Sequence, residues 1–362
     1  MQIPASMKAA VLGDPGRIEV VDLPMPDPGP EDVLVRVHRA SLCGTDVKIL
    51  DRTFFKGGGP EPGTFVPGHE YAGTVVGVGE SVDELRVGDR VVSEAHRGCM
   101  RCRACLGGHY TDCLNYGVHA KGHRAQGMTV NGGFAEYVRN HVSTLHRLPD
   151  GVGFESGVVL STVGTVMHAF DVLGELVTGA RVVVIGPGPI GLLAVQVARE
   201  LGAAHIALVG TRESRLAHGR AFGADVTLAP GGGGGEAEAL LGSADVVLEC
   251  SGSGGGVDDA LRYARRGGRV VLIGFFDRPV TTDLNHAVVN GISLLSVRGE
   301  GTGSLQRAVA LAARGRLDLE ALVTHRVPLT SIADAFEIYV GRRDDALKVM
   351  LEVRADDGLA GG

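Results

Sequence analysis

"RVVVIGPGPIGLLAVQVAREL", residues 181–201, carries the strongest structural signal in this chain of 362 residues. An apolar, β-branched run leads into three glycines with the spacing G-x-G-x-x-G, and an apolar helical pattern follows them. In this strand–turn–helix setting the first glycine allows a tight turn, the second lets a pyrophosphate approach the backbone, and the third allows close helix packing. The segment therefore predicts a dinucleotide-binding turn. The residues expected to contact the dinucleotide are Gly186, Pro187, Gly188, Pro189, Ile190 and Gly191.

The sequence on either side of this turn predicts two kinds of structure. From about residue 155 onward, apolar runs such as "HIALVG", "DVVLECSG" and "GRVVLIG" alternate with helical patterns, which predicts a parallel sheet with crossover helices. The first 150 residues instead form short β segments broken by Gly and Pro. The predicted fold class is α/β, with a doubly wound parallel sheet domain and a β-rich domain to which the C-terminal "ALKVMLEV" returns.

The end of the second strand of the parallel sheet indicates which dinucleotide binds. NAD sites place an acidic residue there to bond the ribose hydroxyls, whereas NADP sites remove that charge and add arginine. Here the expected acidic position is Gly210, followed by Thr211 and Arg212, with Arg215 one helical turn further on. NADP is therefore favoured, although Glu213 leaves NAD open as the alternative. The strand ends "ECSG" and "VVLIG" add Ser251, Gly252 and Gly274 to the expected cofactor contacts.

Composition narrows the range of partners. The net charge is −7 and the basic residues are scattered, which is unlike the clustered positive surface of a nucleic-acid-binding protein. The N-terminus lacks the pattern of a signal peptide, and no apolar run approaches the roughly 18 residues of a membrane span. We therefore expect a cytoplasmic protein whose partner is a small molecule.

Four cysteines are concentrated in "GCMRCRACLGGHYTDC". In a reducing compartment such a cluster indicates a metal site rather than disulfides. Four thiolates form a closed tetrahedral shell around zinc with no position left for substrate, so we interpret the cluster as a structural zinc site. An iron–sulfur cluster, reduced structural thiols and a DNA-binding zinc module are the other interpretations. The four predicted ligands are Cys99, Cys102, Cys105 and Cys113.

A second group of potential metal ligands consists of Cys43, in "SLCGTDVKIL", and His69 with Glu70, in "VPGHEYAGTVVGVG". Together with the dinucleotide turn and the cysteine cluster, these motifs resemble the zinc-dependent medium-chain alcohol and polyol dehydrogenases over nearly the whole chain. The resemblance also rests on "CGTD" from Cys43, "GPGPIG" from Gly186 and the tail "THRVPLTSIADAF". "SEAHRGC" and "NGGFAEY" look most like the threonine dehydrogenase and sorbitol dehydrogenase branches.

The resemblance implies a fold, a site and an assembly. The fold would be a GroES-like catalytic domain, residues 1–155 and 298–362, with a Rossmann domain, residues 156–297, inserted between its parts. Cys43 and His69 would be ligands of an open catalytic zinc, with Asp46 orienting the histidine and Thr45 passing the proton outward. Relatives pair through edge strands of the nucleotide domain, so a homodimer or homotetramer is expected.

This sequence departs from the family pattern at two positions of that site. Ser161 stands where polyol and threonine dehydrogenases carry an acidic third ligand, so either Glu70 completes the shell or the catalytic zinc is weakly bound or absent. Lys48 stands where many relatives have a proton-relay histidine, and lysine can relay a proton if its pKa is lowered. His96 matches a substrate-side histidine of the threonine dehydrogenase pattern, with an ordinary loop histidine as the alternative.

The predicted function is therefore that of an NAD(P)-dependent alcohol dehydrogenase or ketone reductase. It would use zinc and preferentially NADP, and its substrate would be a small polar secondary alcohol such as a polyol, a sugar or cyclitol derivative, or an amino alcohol. A zinc-independent reductase of the same superfamily is the first alternative, because of Ser161. A non-catalytic NADPH-binding protein is the second.

Overall fold

The chain divides into two compact units in a computed structural model that describes residues 3–55, 60–174, 177–231 and 235–354. The first unit comprises residues 1–161 and 319–362, and the second comprises residues 162–318. The predicted domain limits, near residues 155 and 298, stay a prediction. No helix in the described part of the chain is long and apolar enough to cross a bilayer.

The elements follow one another with short connections. The strands are β1 Ser6–Leu12, β2 Ile18–Pro24, β3 Asp32–Ser41, β4 Glu70–Val78, β5 Arg90–Ser93, β6 His96–Arg97, β7 Arg124–Ala125, β8 Tyr137–His141, β9 Leu145–Arg147, β10 Arg181–Ile185, β11 His205–Val209, β12 Val226–Leu228, β13 Ala244–Glu249, β14 Ala264–Leu272, β15 Ser293–Ser296, β16 Val323–Pro328 and β17 Lys348–Glu352. The helices are α1 Gly44–Leu50, α2 Arg103–Leu106, α3 Phe154–Asp171, α4 Pro189–Glu200, α5 Glu213–Ala221, α6 Glu236–Leu240, α7 Gly254–Tyr263, α8 Leu284–Asn290, α9 Ser304–Ala312 and α10 Ile332–Gly341.

The first unit is built on a seven-stranded sheet with the order β16-β17-β3-β4-β5-β9, and β8 also pairs with β3. Strand β3 is buried along its whole length because it has neighbours on both edges and packing on both faces. The C-terminal strand β17 pairs antiparallel with β3, so the last part of the chain returns to the N-terminal sheet as predicted. This pairing brings residues near the C-terminus next to β4.

The second unit is a six-stranded parallel sheet with the order β12-β11-β10-β13-β14-β15. Its first strand in sequence, β10, lies in the middle, and the strand order reverses between β10 and β13. Ligands of open α/β sheets bind outside the carboxyl ends of the strands at such a reversal. Residues 182–185 of β10 are almost fully buried, as expected for a strand with helices on both faces. The predicted parallel sheet with crossover helices is confirmed.

Candidate active site and metal site

Cys43 is the N-cap residue of helix α1, and its backbone is extended. The backbone N–H of Cys43 donates to Oδ2 of Asp46 at 2.9 Å, and the other oxygen, Oδ1, lies 3.3 Å from Nδ1 of His69. Gly68, which precedes His69, has φ +93° and packs so closely on Phe134 that a Cβ would lie 2.3 Å from the ring. The backbone and Asp46 together therefore orient His69, leaving Nε2 as the ring nitrogen for a metal.

Glu70 forms a buried polar cluster with two residues from neighbouring strands. Lys348 and Ser41 both hydrogen-bond to Oε2 of Glu70, and all three residues are at most 4% exposed. Burial alone would raise the pKa of Glu70, but the charges of Lys348 and His69 and the hydrogen bonds from Lys348 and Ser41 outweigh it and lower this pKa. The carboxylate is therefore ionised at neutral pH.

The ligand atoms of Cys43, His69 and Glu70 lie within 4.8 Å of one another. Burial disfavours a charge on His69, yet the Asp46 carboxylate and the Cys43 sulfur raise the pKa of this histidine well above its ordinary value. Surroundings that attract a proton in this way also favour a bound cation. A thiolate, an imidazole and a carboxylate are ligands that zinc accepts, so the residues fit a zinc ion.

Tyr339, on α10, also approaches this group of ligands. The hydroxyl oxygen of Tyr339 would lie 3.8 Å from a Cβ added to Gly44. Burial and the nearby negative groups of Cys43, Glu70 and Asp46 raise the pKa of Tyr339, so the phenol stays protonated and can act only as a neutral group.

The remaining residues predicted around Cys43 occupy different positions. Thr45 and Lys48 lie half-buried on α1, the helix that Cys43 caps. Ser161 is buried on α3. His96 is buried on β6, with its ring centroid 6.3 Å from that of Tyr116. Among the described residues, it is not part of the potential metal-binding group that contains Cys43.

The four-cysteine cluster has the geometry of a metal site. The Sγ atoms of Cys102 and Cys105 are 3.5 Å apart, and the pairs Cys99–Cys105 and Cys102–Cys113 are each 4.0 Å apart. A tetrahedron of sulfurs around zinc has edges of about 3.8 Å, given Zn–S bonds of about 2.3 Å. None of the four forms a disulfide. The separations therefore fit one tetrahedral ion.

Hydrogen-bond donors around the sulfurs favour the thiolate form. The Asn115 side chain donates to Sγ of Cys99 at 3.2 Å, and the backbone N–H of Leu114 donates to Sγ of Cys102 at 3.5 Å. The Asn115 amide lowers the pKa of Cys99, whereas burial raises that of Cys105. Donors that stabilise thiolates are typical of sites where cysteines bind a metal.

In the second unit, the glycine-rich turn connects β10 to α4. Gly186 has φ +100°, and a Cβ there would lie 2.8 Å from the backbone nitrogen of Ser251. A Cβ on Gly191 would lie 2.0 Å from the carbonyl oxygen of Gly186, so only glycine allows the helix to approach the strand. A Cβ on Gly188 would meet nothing within 4 Å. The open space beside Gly188, at the start of α4, fits a pyrophosphate.

The segment after β11 lies next to this turn. A Cβ on Gly210 would lie 2.4 Å from the ring of Pro187. Thr211 is exposed, and Arg212 and Arg215 are half-buried at the start of α5. Glu213, the acidic alternative, forms an ion pair with Arg220 of the same helix.

Glu249, at the end of β13, is a buried carboxylate that contacts the segments following β13 and β14. The sequence analysis did not identify it. Glu249 accepts the backbone N–H of Ser251 at 2.8 Å, that of Gly252 at 3.2 Å and the Ser251 hydroxyl. A Cβ on Gly274 would lie 2.3 Å from the nitrogen of Gly252, so the two predicted cofactor loops touch. Burial raises the pKa of Glu249. Its only sequence signal is an acidic residue ending the apolar run "DVVLE".

Lys348, Ser41 and Tyr339 are also absent from the sequence-based site. Lys348 lies 278 residues beyond Glu70, in a run whose pattern indicates only a strand. No local motif marks any of the three. Strand pairing alone brings Lys348 and Ser41 to Glu70.

Two family models match parts of this chain. A family model described as "Alcohol dehydrogenase GroES-like domain" matches residues 29–150, and one described as "Zinc-binding dehydrogenase" matches residues 189–314. These matches confirm the predicted α/β fold class with a GroES-like part and a Rossmann part.

Individual relatives extend over nearly the whole chain. Sorbitol dehydrogenase from Macaca fascicularis is 31% identical, over 98% of each chain. L-threonine 3-dehydrogenase from Anaeromyxobacter dehalogenans (strain 2CP-C) is 33% identical, over 91% of this chain and 94% of its own. The crystal structure of a protein described as a zinc-binding dehydrogenase from Sinorhizobium meliloti 1021, bound to NADP, is 29% identical with a TM-score of 0.85, over 96% of this chain and 100% of its own.

Proposed function

Because this chain belongs to the zinc-type medium-chain alcohol and polyol dehydrogenases, we propose that it uses NADP(H) to interconvert a small polar secondary alcohol and its ketone. The family accounts for the general reaction, an NAD(P)-dependent oxidation at CH–OH. Relatives named sorbitol and threonine dehydrogenases support a polyol, a sugar or cyclitol derivative, or an amino alcohol as substrate. The observation that carries the proposal is the convergence of Cys43, His69 and Glu70 within 4.8 Å.

The residues around Cys43 would hold a catalytic zinc. When bound, zinc makes an alcohol more acidic and polarises a ketone, while the nicotinamide accepts or donates the hydride. Cys43 and His69 serve as ligands, and Asp46 keeps the His69 ring in place through the 3.3 Å contact at Nδ1. Glu70 supplies the third ligand, because the residue at the usual position, Ser161, coordinates zinc poorly.

Two residues of α1 support a path for the substrate's proton. Thr45 is half-buried in the first turn of the helix, and its hydroxyl can both accept and donate a proton. Lys48 is half-buried near the end of the same helix. We assign Thr45 to pass the proton outward and Lys48 to exchange it with solvent.

Position 210 and the residues after it support NADP over NAD. Gly210 offers no carboxylate to the ribose hydroxyls, and the nearby Glu213 is already paired with Arg220. A 2′-phosphate would instead meet the Thr211 hydroxyl and the guanidinium groups of Arg212 and Arg215. The turn at Gly186–Gly191, with Ser251, Gly252 and Gly274, would hold the rest of the cofactor.

Metal analysis and kinetics test this proposal together. The purified protein should contain two zinc ions per chain, and Cys43→Ser should contain one. The parent protein should reduce NADP+ with members of a polyol and amino-alcohol panel, or oxidise NADPH with the matching ketones, faster than with NAD(H). Cys43→Ser should lose at least 100-fold in kcat/KM while binding NADPH normally in a fluorescence titration. Equal turnover by Cys43→Ser and its parent would overturn the zinc-dependent mechanism.

A zinc-independent reductase of the same superfamily is the second candidate. Ser161 at the usual ligand position favours it, and so does the engagement of Glu70 by Lys348 and Ser41. It predicts one zinc per chain in the parent protein and turnover that survives Cys43→Ser. A non-catalytic NADPH-binding protein would instead bind NADPH tightly and turn over no member of the panel.

We also propose a homodimer or homotetramer in the cytoplasm. In the described chain, β15 stands at one edge of the parallel sheet, where its backbone groups can pair with another strand. Next to it in sequence, α8 exposes Val288 and Val289 by 78% and 70%. A second copy of this chain, paired edge to edge, would cover both features. The unpaired cysteines fit a reducing compartment.

A further inference from the structure

Pro187 and Gly210 are packed against each other at the carboxyl ends of β10 and β11. A Cβ built on Gly210 would lie 2.4 Å from both Cγ and Cδ of Pro187 and 3.3 Å from Leu216. Non-bonded carbon atoms do not approach one another as closely as the contact with Pro187 would require, so a side chain here would force the structure to shift. Gly210 is not one of the glycines with positive φ, so its φ angle does not itself require glycine. Space, rather than conformation, requires glycine at this position.

Pro187 cannot easily move away from a side chain at position 210. Its closed ring fixes φ, and Pro189 begins α4 only two residues later. Gly186, on its other side, donates its backbone N–H to the carbonyl oxygen of Val209 at 2.9 Å, and a Cβ on Gly186 would touch Ser251. The turn is therefore held against the end of β11, directly before Gly210.

This contact bears on cofactor choice because position 210 is where NAD-binding Rossmann domains carry the acidic residue that bonds the ribose hydroxyls. We propose that Pro187 is a specificity-determining residue that excludes any side chain from position 210 and so keeps this site selective for NADP. The inference rests on the proposed NADP preference. It implies that changing Gly210 alone cannot convert the protein to NAD, and that Pro187 must change with it.

A double-mutant cycle with alanine isolates the steric contact from charge. Gly210→Ala should lower Tm by several degrees in the parent protein, because a single methyl group meets the proline ring. In the Pro187→Ala background the same change should shift Tm by less than about 2 °C. If Gly210→Ala lowers Tm equally in both backgrounds, or in neither, the two residues do not exclude one another and the proposal is wrong.

Cofactor titrations then test specificity. NADPH and NADH dissociation constants are measured by nucleotide fluorescence for the parent, Gly210→Asp and Pro187→Ala/Gly210→Asp proteins. Gly210→Asp alone should weaken both nucleotides at least tenfold, whereas the double variant should bind NADH at least tenfold more tightly than NADPH. Tight NADH binding by Gly210→Asp alone would overturn the role of Pro187.

The parent protein separates this inference from the function on which it depends. A parent that binds NADH as tightly as NADPH would refute the NADP preference, and with it the part of the inference that concerns selectivity. The Tm cycle would still decide whether Pro187 excludes a side chain at position 210. If the parent protein prefers NADPH but the two alanine substitutions change Tm additively, the inference about Pro187 is refuted and the NADP preference stands.

Discussion

The ammonium group of Lys348 is hydrogen-bonded to the carboxylate of Glu70, which precedes it by 278 residues in the chain. Ser41 lies on the strand between them: it pairs with Glu70 in the register of β3 with β4, and with Met350 in that of β17 with β3. Three neighbouring strands thus supply a buried cation, a hydroxyl and a carboxylate beside Cys43 and His69. The candidate metal site of the first unit therefore depends on correct pairing of the C-terminal strand.

Lys348→Met should destabilise the protein strongly. It leaves Glu70 charged and buried without its partner, and breaking a buried pair in this way costs about 3–5 kcal/mol of the free energy of unfolding. Urea unfolding, followed by far-UV circular dichroism in excess zinc, measures the loss. Adding Glu70→Gln should recover part of it. A Lys348→Met protein as stable as its parent would show that the pair contributes little.

Cys102→Ser should remove one zinc ion per chain and lower Tm. Three thiolates and a serine hydroxyl no longer form the shell that the observed Sγ separations fit, and structural zinc contributes directly to folding. Elemental analysis and thermal unfolding provide the two readouts. Cys250→Ser, which changes a cysteine outside the cluster, is the matched control and should keep its full zinc content. An unchanged zinc content in Cys102→Ser would exclude the cluster as a metal site.

Glu249→Gln should weaken NADPH binding about tenfold. The carboxylate accepts hydrogen bonds from Ser251 and Gly252. The NH2 group of a glutamine amide cannot accept a hydrogen bond, so at least one of these bonds would be lost. A titration of NADPH fluorescence measures the dissociation constant. Glu238→Gln, an exposed carboxylate of α6, should leave it unchanged. Equal dissociation constants for Glu249→Gln and its parent would mean that this carboxylate does not position the cofactor loop.

Glu155 and Arg326 should contribute to the acid sensitivity of the protein. Arg326 donates to both carboxylate oxygens, and these hydrogen bonds, aided by the charges of Arg326 and Arg39 against the effect of burial, lower the pKa of Glu155. A lowered folded-state pKa means that the stabilisation is present above the unfolded-state pKa of about 4.3 and is lost as pH falls through the folded-state value.

Arg326→Gln therefore should lower the free energy of unfolding near pH 7 by about 0.5–1 kcal/mol, since Arg326 is partly exposed, and by less below pH 4. Urea midpoints between pH 3 and pH 7 give this difference. Arg343→Gln removes an ion pair with Glu337 whose side chains are 60% and 63% exposed, and it should change the pH dependence little. If the free energy of unfolding differed between the parent protein and Arg326→Gln by the same amount at every pH in this range, Arg326 would not be the cause of the lowered pKa of Glu155.

Val288→Glu/Val289→Glu should dissociate the proposed oligomer. These side chains are exposed beside the edge strand β15, and burying two carboxylates against a second copy would weaken association at least tenfold. Light scattering after size-exclusion chromatography reports the mass. Val87→Glu, at a valine that is 62% exposed in the first unit, should leave the assembly intact. A monomeric parent protein would refute the interface at once.

Local sequence patterns predicted the glycine-rich turn, the cysteine cluster and the parallel sheet. The G-x-G-x-x-G turn and the four clustered cysteines each lie within a short segment, so spacing alone determines what the side chains can surround. The alternation of apolar runs and helical patterns likewise predicted the parallel sheet, because each βαβ unit is formed by neighbouring segments. These features depend on interactions between residues that are close in the chain.

Contacts between distant segments were decided only by the tertiary structure. The pairing of β17 with β3 brings Lys348 to Glu70, the adjacency of β10 and β11 sets Pro187 against Gly210, and the loops after β13 and β14 meet around Glu249. No local sequence motif predicts such contacts, since strand order and register follow from how the whole sheet buries its faces. The amino-acid order thus specified the chemistry available at each site, while the packing of the sheets selected which groups face one another.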